Sequence, residues 1–123
     1  MDYLEKARRV IALEVAEVQR LLERLNGSFV EAVEAIRSCV ESRGKVVVLG
    51  VGKSGHIGEK IAATLTSTGS PAVVLNSLNA LHGDLGVVAD GDVILALSSS
   101  GETDEIANIL PALARTNALD CRP

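Results

Sequence analysis

The chain has 123 residues, 47% of them apolar, and a formal net charge of −4. That length holds at most one domain with a real core, and that composition excludes a disordered chain. The acidic balance, with one Phe, one Tyr and no Trp, excludes nucleic acid as the expected partner, because it offers neither phosphate neutralisation nor base stacking. Cys39 and Cys121 lack metal-ligand spacing and read as free thiols of a reducing cytosol, so the expected location is cytoplasmic. Asp2 and Glu5 stand where a signal peptide carries basic charge. No apolar run approaches the roughly 18 residues of a membrane span, so no membrane partner is expected either.

Leu4, Ala7, Ile11, Val15, Val18, Leu22 and Leu25 recur at spacings of three and four, which predicts an amphipathic helix over 3–25. Its stripe packs either within the domain or at a subunit interface. Asn26-Gly27 ends it. Ser28 with Glu31 matches a capping box for a second helix, with Phe29, Val33, Ile36 and Val40 on its apolar stripe and an end near Arg43-Gly44. A strand follows at about 45–50, then a glycine turn. A helix is predicted over 54–67, with Ile57, Ile61 and Leu65 inward. Ala72-Val73-Val74-Leu75 is a short strand, and Asn76 to Ala89 a loop-rich segment with room for one helical turn. Asp90-Gly91 is a turn before a third strand at 92–97. Ser98-Ser99-Ser100-Gly101-Glu102-Thr103 then leads into a last helix with Ile106, Ile109, Leu110 and Leu113 inward.

Strands alternating with helices imply right-handed βαβ units and a parallel sheet. Strands that are apolar throughout fit a sheet covered on both faces. Ligands of such sheets bind beyond the carboxyl ends of the strands. Both the glycine turn and the serine turn lie there.

Gly50, Gly52 and Gly55 match the dinucleotide pattern, yet no carboxylate ends the second strand to hold a ribose. Gly52-Lys53-Ser54 echoes a Walker loop, but Val47 stands where that loop needs glycine. The serine turn says more. One hydroxyl suffices to cap a helix, whereas hydroxyls crowded at a strand end, beside a helix N-terminus, suit the oxygens of a phosphate. Lys53 is either an exposed turn lysine or a ligand-facing cation. His56 reads as structural, and His82 as a surface histidine or a site residue. Glu102, Asp104 and Glu105 favour a helix start, although carboxylates beside a phosphate must point away from it or serve proton chemistry.

Gly50-Val51-Gly52-Lys53-Ser54-Gly55-His56-Ile57-Gly58, Ser67-Thr68-Gly69-Ser70-Pro71, His82-Gly83-Asp84-Leu85-Gly86 and Ser98 to Ile106, in that order, resemble the sugar isomerase (SIS) domain of the D-arabinose 5-phosphate isomerases. The resemblance implies a three-layer α/β/α flavodoxin-like parallel sheet with an N-terminal helical pair. Residues 1–43 are then helices packing on the domain or at an interface, and 44–123 an incomplete phosphosugar-binding domain with about three of the five strands of the 2-1-3-4-5 order. It implies interconversion of D-arabinose 5-phosphate and D-ribulose 5-phosphate through an enediol, with no metal or organic cofactor, on the route to the eight-carbon sugar acid of lipopolysaccharide and some capsules. A non-catalytic, sensing phosphosugar-binding domain is the alternative.

By resemblance, Lys53, Glu105 and His82 are the catalytic residues. Ser54, Ser98, Ser100 and Thr103 are the phosphate cradle, with Gly52, Ser99 and Gly101 beside it. A homo-oligomer with shared sites is implied as well. Two departures stand out. Many members carry a His-Pro pair and a glutamate where this chain reads Asn76-Ser77-Leu78-Asn79-Ala80-Leu81, which bears on the choice of phosphosugar. The family's domain also continues, often into a pair of CBS modules, and holds a further catalytic glutamate and histidine there. After Leu119 a fourth strand is due, and Asp120-Cys121-Arg122-Pro123 stands in its place. The apolar strand at 92–97 is therefore expected to be a bare edge that pairs with another chain or weakens the fold.

Overall fold

Helix α1 runs Tyr3–Arg24 and is capped by Asp2, whose Oδ1 accepts from the backbone N–H of Leu4 (2.9 Å) and Glu5 (3.2 Å). In the computed structural model, which describes residues 2–76, 80, 83–100, 104–113 and 119–120, the chain forms two compact units, Met1–Val30 and Glu31–Pro123. The first holds α1, none of whose residues is buried. Helix α2 spans Gly27–Glu41. Its cap differs from the expected box. Asn26 Oδ1 accepts from Ser28 N at 2.9 Å, because an Asn side chain reaches the N–H two residues on without needing a helical backbone of its own. The buried face of α2 also differs: Cys39 is buried and Ile36 packs on the sheet, while Phe29 and Val33 are about half exposed.

The second unit is built on a parallel sheet. Strand β1 is Val46–Gly50, β2 Ala72–Asn76, β3 Val93–Leu97 and β4 Leu119–Asp120, in the order β2-β1-β3-β4. β1 is central, and Val46, Val47, Val48 and Leu49 have no exposed surface. Burying each such side chain contributes about 1.5–3 kcal/mol. The two faces form separate cores, as an apolar strand with period-two alternation demands. Val47, Leu49, Leu75 and Ile94 pack with Ile106, Ile109 and Leu113 of helix α4, which runs Asp104–Leu113. Val46 and Val48 pack with Ala62 of helix α3, Lys53–Ser67, and with Ile36 and Leu65. This is the expected three-layer α/β/α architecture. A 3₁₀ turn at Asp84–Val87 lies in the loop-rich segment between β2 and β3, where Ala80 is helical as well.

Two expectations need correction. Ile57 does not face inward; it is 59% exposed, and Gly58 and Ala62 are buried instead. Gly58 has no side chain, so α3 settles until a Cβ there would stand 3.0 Å from Val48 Cγ1. That rotation turns Ile57 outward. The second correction concerns β3, whose edge is not bare over its first two residues. β4 pairs with it in parallel, Val93 against Leu119 and Ile94 against Asp120. Two residues suffice to begin a ladder, whatever their hydropathy, because the bonds are made by the backbone. The side chain of Leu110 and all of Cys121 lie outside the described residues. Cys39 is a free, buried thiol whose pKa burial pushes up.

Candidate active site

The strand ends fix the stage. Gly50, the last residue of β1, is in register with Asn76 on one side and Leu97 on the other. The glycine turn and the serine turn therefore leave neighbouring strands, about 4.8 Å apart, at the same level.

The glycine turn is shaped by two glycines for different reasons. A Cβ on Gly50 would lie 2.8 Å from the carbonyl carbon and oxygen of Ser54 and 2.9 Å from Gly55 N. Only glycine lets the start of α3 fold back so closely on its own strand. Gly52 adopts φ +58°, ψ −124°, and none of the described residues would stand within 4 Å of a Cβ there. Its conformation calls for glycine. Gly52 is also the N-cap of α3, and its carbonyl accepts from His56 N at 3.3 Å. It has no side chain to cap the first amides of the helix, so Lys53, Ser54 and Gly55 present backbone N–H groups where the helix dipole is positive.

Lys53 is exposed and Ser54 half-buried at this helix start. On the neighbouring strand, Ser98 is half-buried and Ser99 and Ser100 are exposed. Glu105 is half-buried in the first turn of α4. The fold thus brings Gly52, Lys53, Ser54, Ser98, Ser99, Ser100 and Glu105 to the carboxyl end of the sheet. Gly101, Thr103 and His82 lie outside the described residues. His56 points its Nδ1 at Glu59 Oε2 (3.4 Å) on the exposed side of α3. Uncapped amides, hydroxyls and a cation can hold a phosphate, and a carboxylate and an ammonium beside it can move a proton and steady an oxyanion.

The family model for the SIS domain matches residues 40–120. The chain belongs to the SIS domain family. Over 115 residues it is 47% identical to the arabinose 5-phosphate isomerase KdsD of Pseudomonas aeruginosa, a match covering 94% of this chain and 34% of that protein. Over 110 residues it is 51% identical to the arabinose 5-phosphate isomerase GutQ of Escherichia coli K12, covering 89% and 33%. A protein of E. coli CFT073, solved in complex with a phosphosugar, shares the fold with a TM-score of 0.84 and 37% identity, over 96% of this chain and 63% of that one. This SIS chain spans about a third of the length of the curated relatives it matches.

Sequence reasoning missed two features. One is the end of β2: Asn76 lies beside Gly50 only because of the strand register. The composition of β2 contained the signal, since Asn76 is its one polar residue. The other lies at the opposite end of the sheet, where Asp92, 4% exposed, accepts from Lys45 N (3.0 Å), Ala89 N (2.8 Å) and the Lys45 ammonium. Burial pushes the Asp92 carboxyl up, but these donors outweigh it and hold the group below its ordinary 3.8. No sequence signal links residues so far apart.

Proposed function

We propose that this chain is the phosphosugar-binding part of an aldose–ketose isomerase that interconverts D-arabinose 5-phosphate and D-ribulose 5-phosphate. The observation that carries the reading is the 47% identity to an arabinose 5-phosphate isomerase across 94% of this chain. The phosphosugar carried by the related E. coli CFT073 structure, read as arabinose 5-phosphate, supports the same substrate. In this reading the phosphate rests on the α3 amides, Ser54 and the serine turn, with Thr103 and Gly101. One base removes the proton on C2 of the aldose, an enediol forms, and the proton returns to C1 to give the ketose. Glu105 and His82 are the candidates for moving that proton. Lys53 is the candidate for steadying the developing oxyanion.

The rest of the reading concerns setting. The product feeds an eight-carbon sugar acid of lipopolysaccharide or capsule, the protein is cytoplasmic, and it works without a metal or organic cofactor. No helix among the described residues is long and apolar enough to cross a membrane. Copies associate through the helical segment 1–43, where Leu4, Ile11, Val18, Leu22 and Leu25 of the apolar stripe are each more than half exposed, a pattern that marks interaction surfaces.

The test is incubation with D-ribulose 5-phosphate in deuterated water, following D-arabinose 5-phosphate and solvent deuterium at C2. Formation of the aldose, with turnover falling at least about a hundredfold in Lys53→Ala while binding persists, is the expected result. Tight binding of the sugar phosphate without any conversion would identify a sensing domain instead.

A further inference from the structure

We infer that Lys60 is a steering residue, which draws the anionic ligand to the site across the outer face of α3; the inference rests on the phosphosugar reading above. Gly58 and Ala62 of α3 are buried against the sheet. Lys60 stands midway between them in sequence, so at about 100° per residue it is on the side of the helix turned away from the sheet. Lys53 lies two turns earlier, about 10 Å along the axis and within about 20° of the same direction. Both lysines are exposed, and among the described residues neither makes an ion pair. The one carboxylate of α3, Glu59, faces His56 instead. The two lysines therefore form a ridge of positive charge that leads to the uncapped amides at the start of the helix.

The opposite face of the sheet carries the other sign. Helix α4 begins with Asp104 and Glu105. The 3₁₀ turn, whose Leu85 packs on the same core, begins with Asp84. The chain has 16 acidic and 12 basic side chains, so the protein as a whole repels a dianionic sugar phosphate, and this face repels it most. A positive charge acts on such a dianion over roughly 10 Å, the Debye length at about 0.1 M salt. Lys60 stands two turns below the amides that receive the phosphate. It acts on the ligand's approach and not on its bound state, which raises the rate of association and leaves dissociation alone.

The test follows phosphorus NMR line shapes of D-arabinose 5-phosphate, and of inorganic phosphate, titrated with the full chain. These give association and dissociation rates separately and need no turnover. Lys60→Gln, Lys60→Glu and, as a control, Arg43→Gln are compared with wild type. Arg43 is also exposed and without an ion pair among the described residues, but it precedes β1, at the amino end of the sheet. Its loss changes the net charge equally from the far end of the strands. In about 10 mM salt, Lys60→Gln should slow association of either ligand by about two- to threefold, Lys60→Glu by about five- to tenfold and Arg43→Gln by less than about 1.5-fold. Dissociation should stay within about 1.5-fold throughout, and at about 0.5 M salt the differences should vanish. Equal slowing by Lys60→Gln and Arg43→Gln overturns the inference, because net charge alone then accounts for it. Unchanged rates overturn it, and so does faster dissociation with unchanged association, which makes Lys60 a contact of the bound ligand. A wild-type chain that binds neither D-arabinose 5-phosphate nor inorganic phosphate overturns the phosphosugar reading, and this inference with it.

Discussion

At the amino end of the sheet, Lys45 and Asp92 consume one another's polar groups, and Asp92 is 4% exposed. At the carboxyl end, among the described residues, Gly52 has nothing within 4 Å of where a Cβ would be, and α3 begins with no side-chain cap. The same three strands run between these ends. One end satisfies its hydrogen bonds internally and closes; the other leaves the first amides of α3 for something else to satisfy. Buried polar groups without partners cost stability, so a fold accepts an uncapped rim only where water or a ligand completes it. Changes at the closed end should therefore be read in stability, and changes at the open end in binding and turnover.

The largest effect is expected from Asp92→Ala. It leaves the Lys45 ammonium and two backbone N–H groups without their acceptor, and removing one partner of a buried pair costs about 3 kcal/mol. The expected result in urea unfolding is a lower midpoint with an unchanged slope. Phosphosugar affinity of the folded fraction should stay within about twofold, because the clasp lies at the other end of the strands. A pH series sharpens the point. Asp92 is held below its ordinary value of 3.8, so its contribution is fully present above about pH 4 and fades as pH falls through the lowered value. In Asp92→Ala that part of the acid loss should be gone. An equal acid loss in both proteins would remove the clasp from the account.

The clasp also shows what a sequence leaves out. The strands and the position of the glycine and serine turns follow from apolar runs and turn residues, which are local signals, whereas the strand order rests on the family resemblance. The pairing of Lys45 with Asp92 exists only once β1 and β3 lie side by side, and the place of Asn76 only once β2 joins them. Ile57 escapes periodicity for a third reason. Apolar periodicity scores an isoleucine above a glycine, yet close packing of α3 on Val48 selects the residue with no side chain. Asn26 in place of Ser28 as the cap of α2 is a smaller case, since both types accept hydrogen bonds well and spacing alone does not choose between them. Of the site, Gly52, Lys53, Ser54 and the serines are legible because turn chemistry and phosphate chemistry use the same residue types.

At the open end, Gly50→Ala and Gly52→Ala separate packing from conformation. The first drives a Cβ to 2.8 Å from the backbone of Ser54, a contact that no rotamer relieves. Overpacking of that kind costs about 2 kcal/mol, and displacing the start of α3 should abolish phosphosugar binding. The second meets no atom among the described residues but holds φ +58° with ψ −124°, a combination outside the left-handed helical well that costs an L-residue about 1–3 kcal/mol. It also places a methyl group over the turn. Thermal unfolding should find both variants less stable than wild type, and calorimetry should find binding weakened in both. Normal binding by Gly52→Ala would show that the ligand does not approach this turn.

The smallest effect on stability, and the sharpest contrast, belongs to Lys53→Ala. Lys53 is exposed in the first turn of α3, where a cation is slightly unfavourable to the helix dipole. Removing it should leave the unfolding free energy within about 0.5 kcal/mol of wild type, or raise it by a few tenths. Turnover should nevertheless collapse if its ammonium steadies the enediolate, because an electrostatic partner of a developing charge is worth more in the transition state than in the folded apoprotein. The pairing of the two measurements decides the matter. A chain as stable as wild type that still isomerises would make Lys53 an ordinary turn lysine. A chain as stable as wild type that binds but does not convert would set Lys53 opposite Asp92: one charge retained for the fold, the other for the ligand.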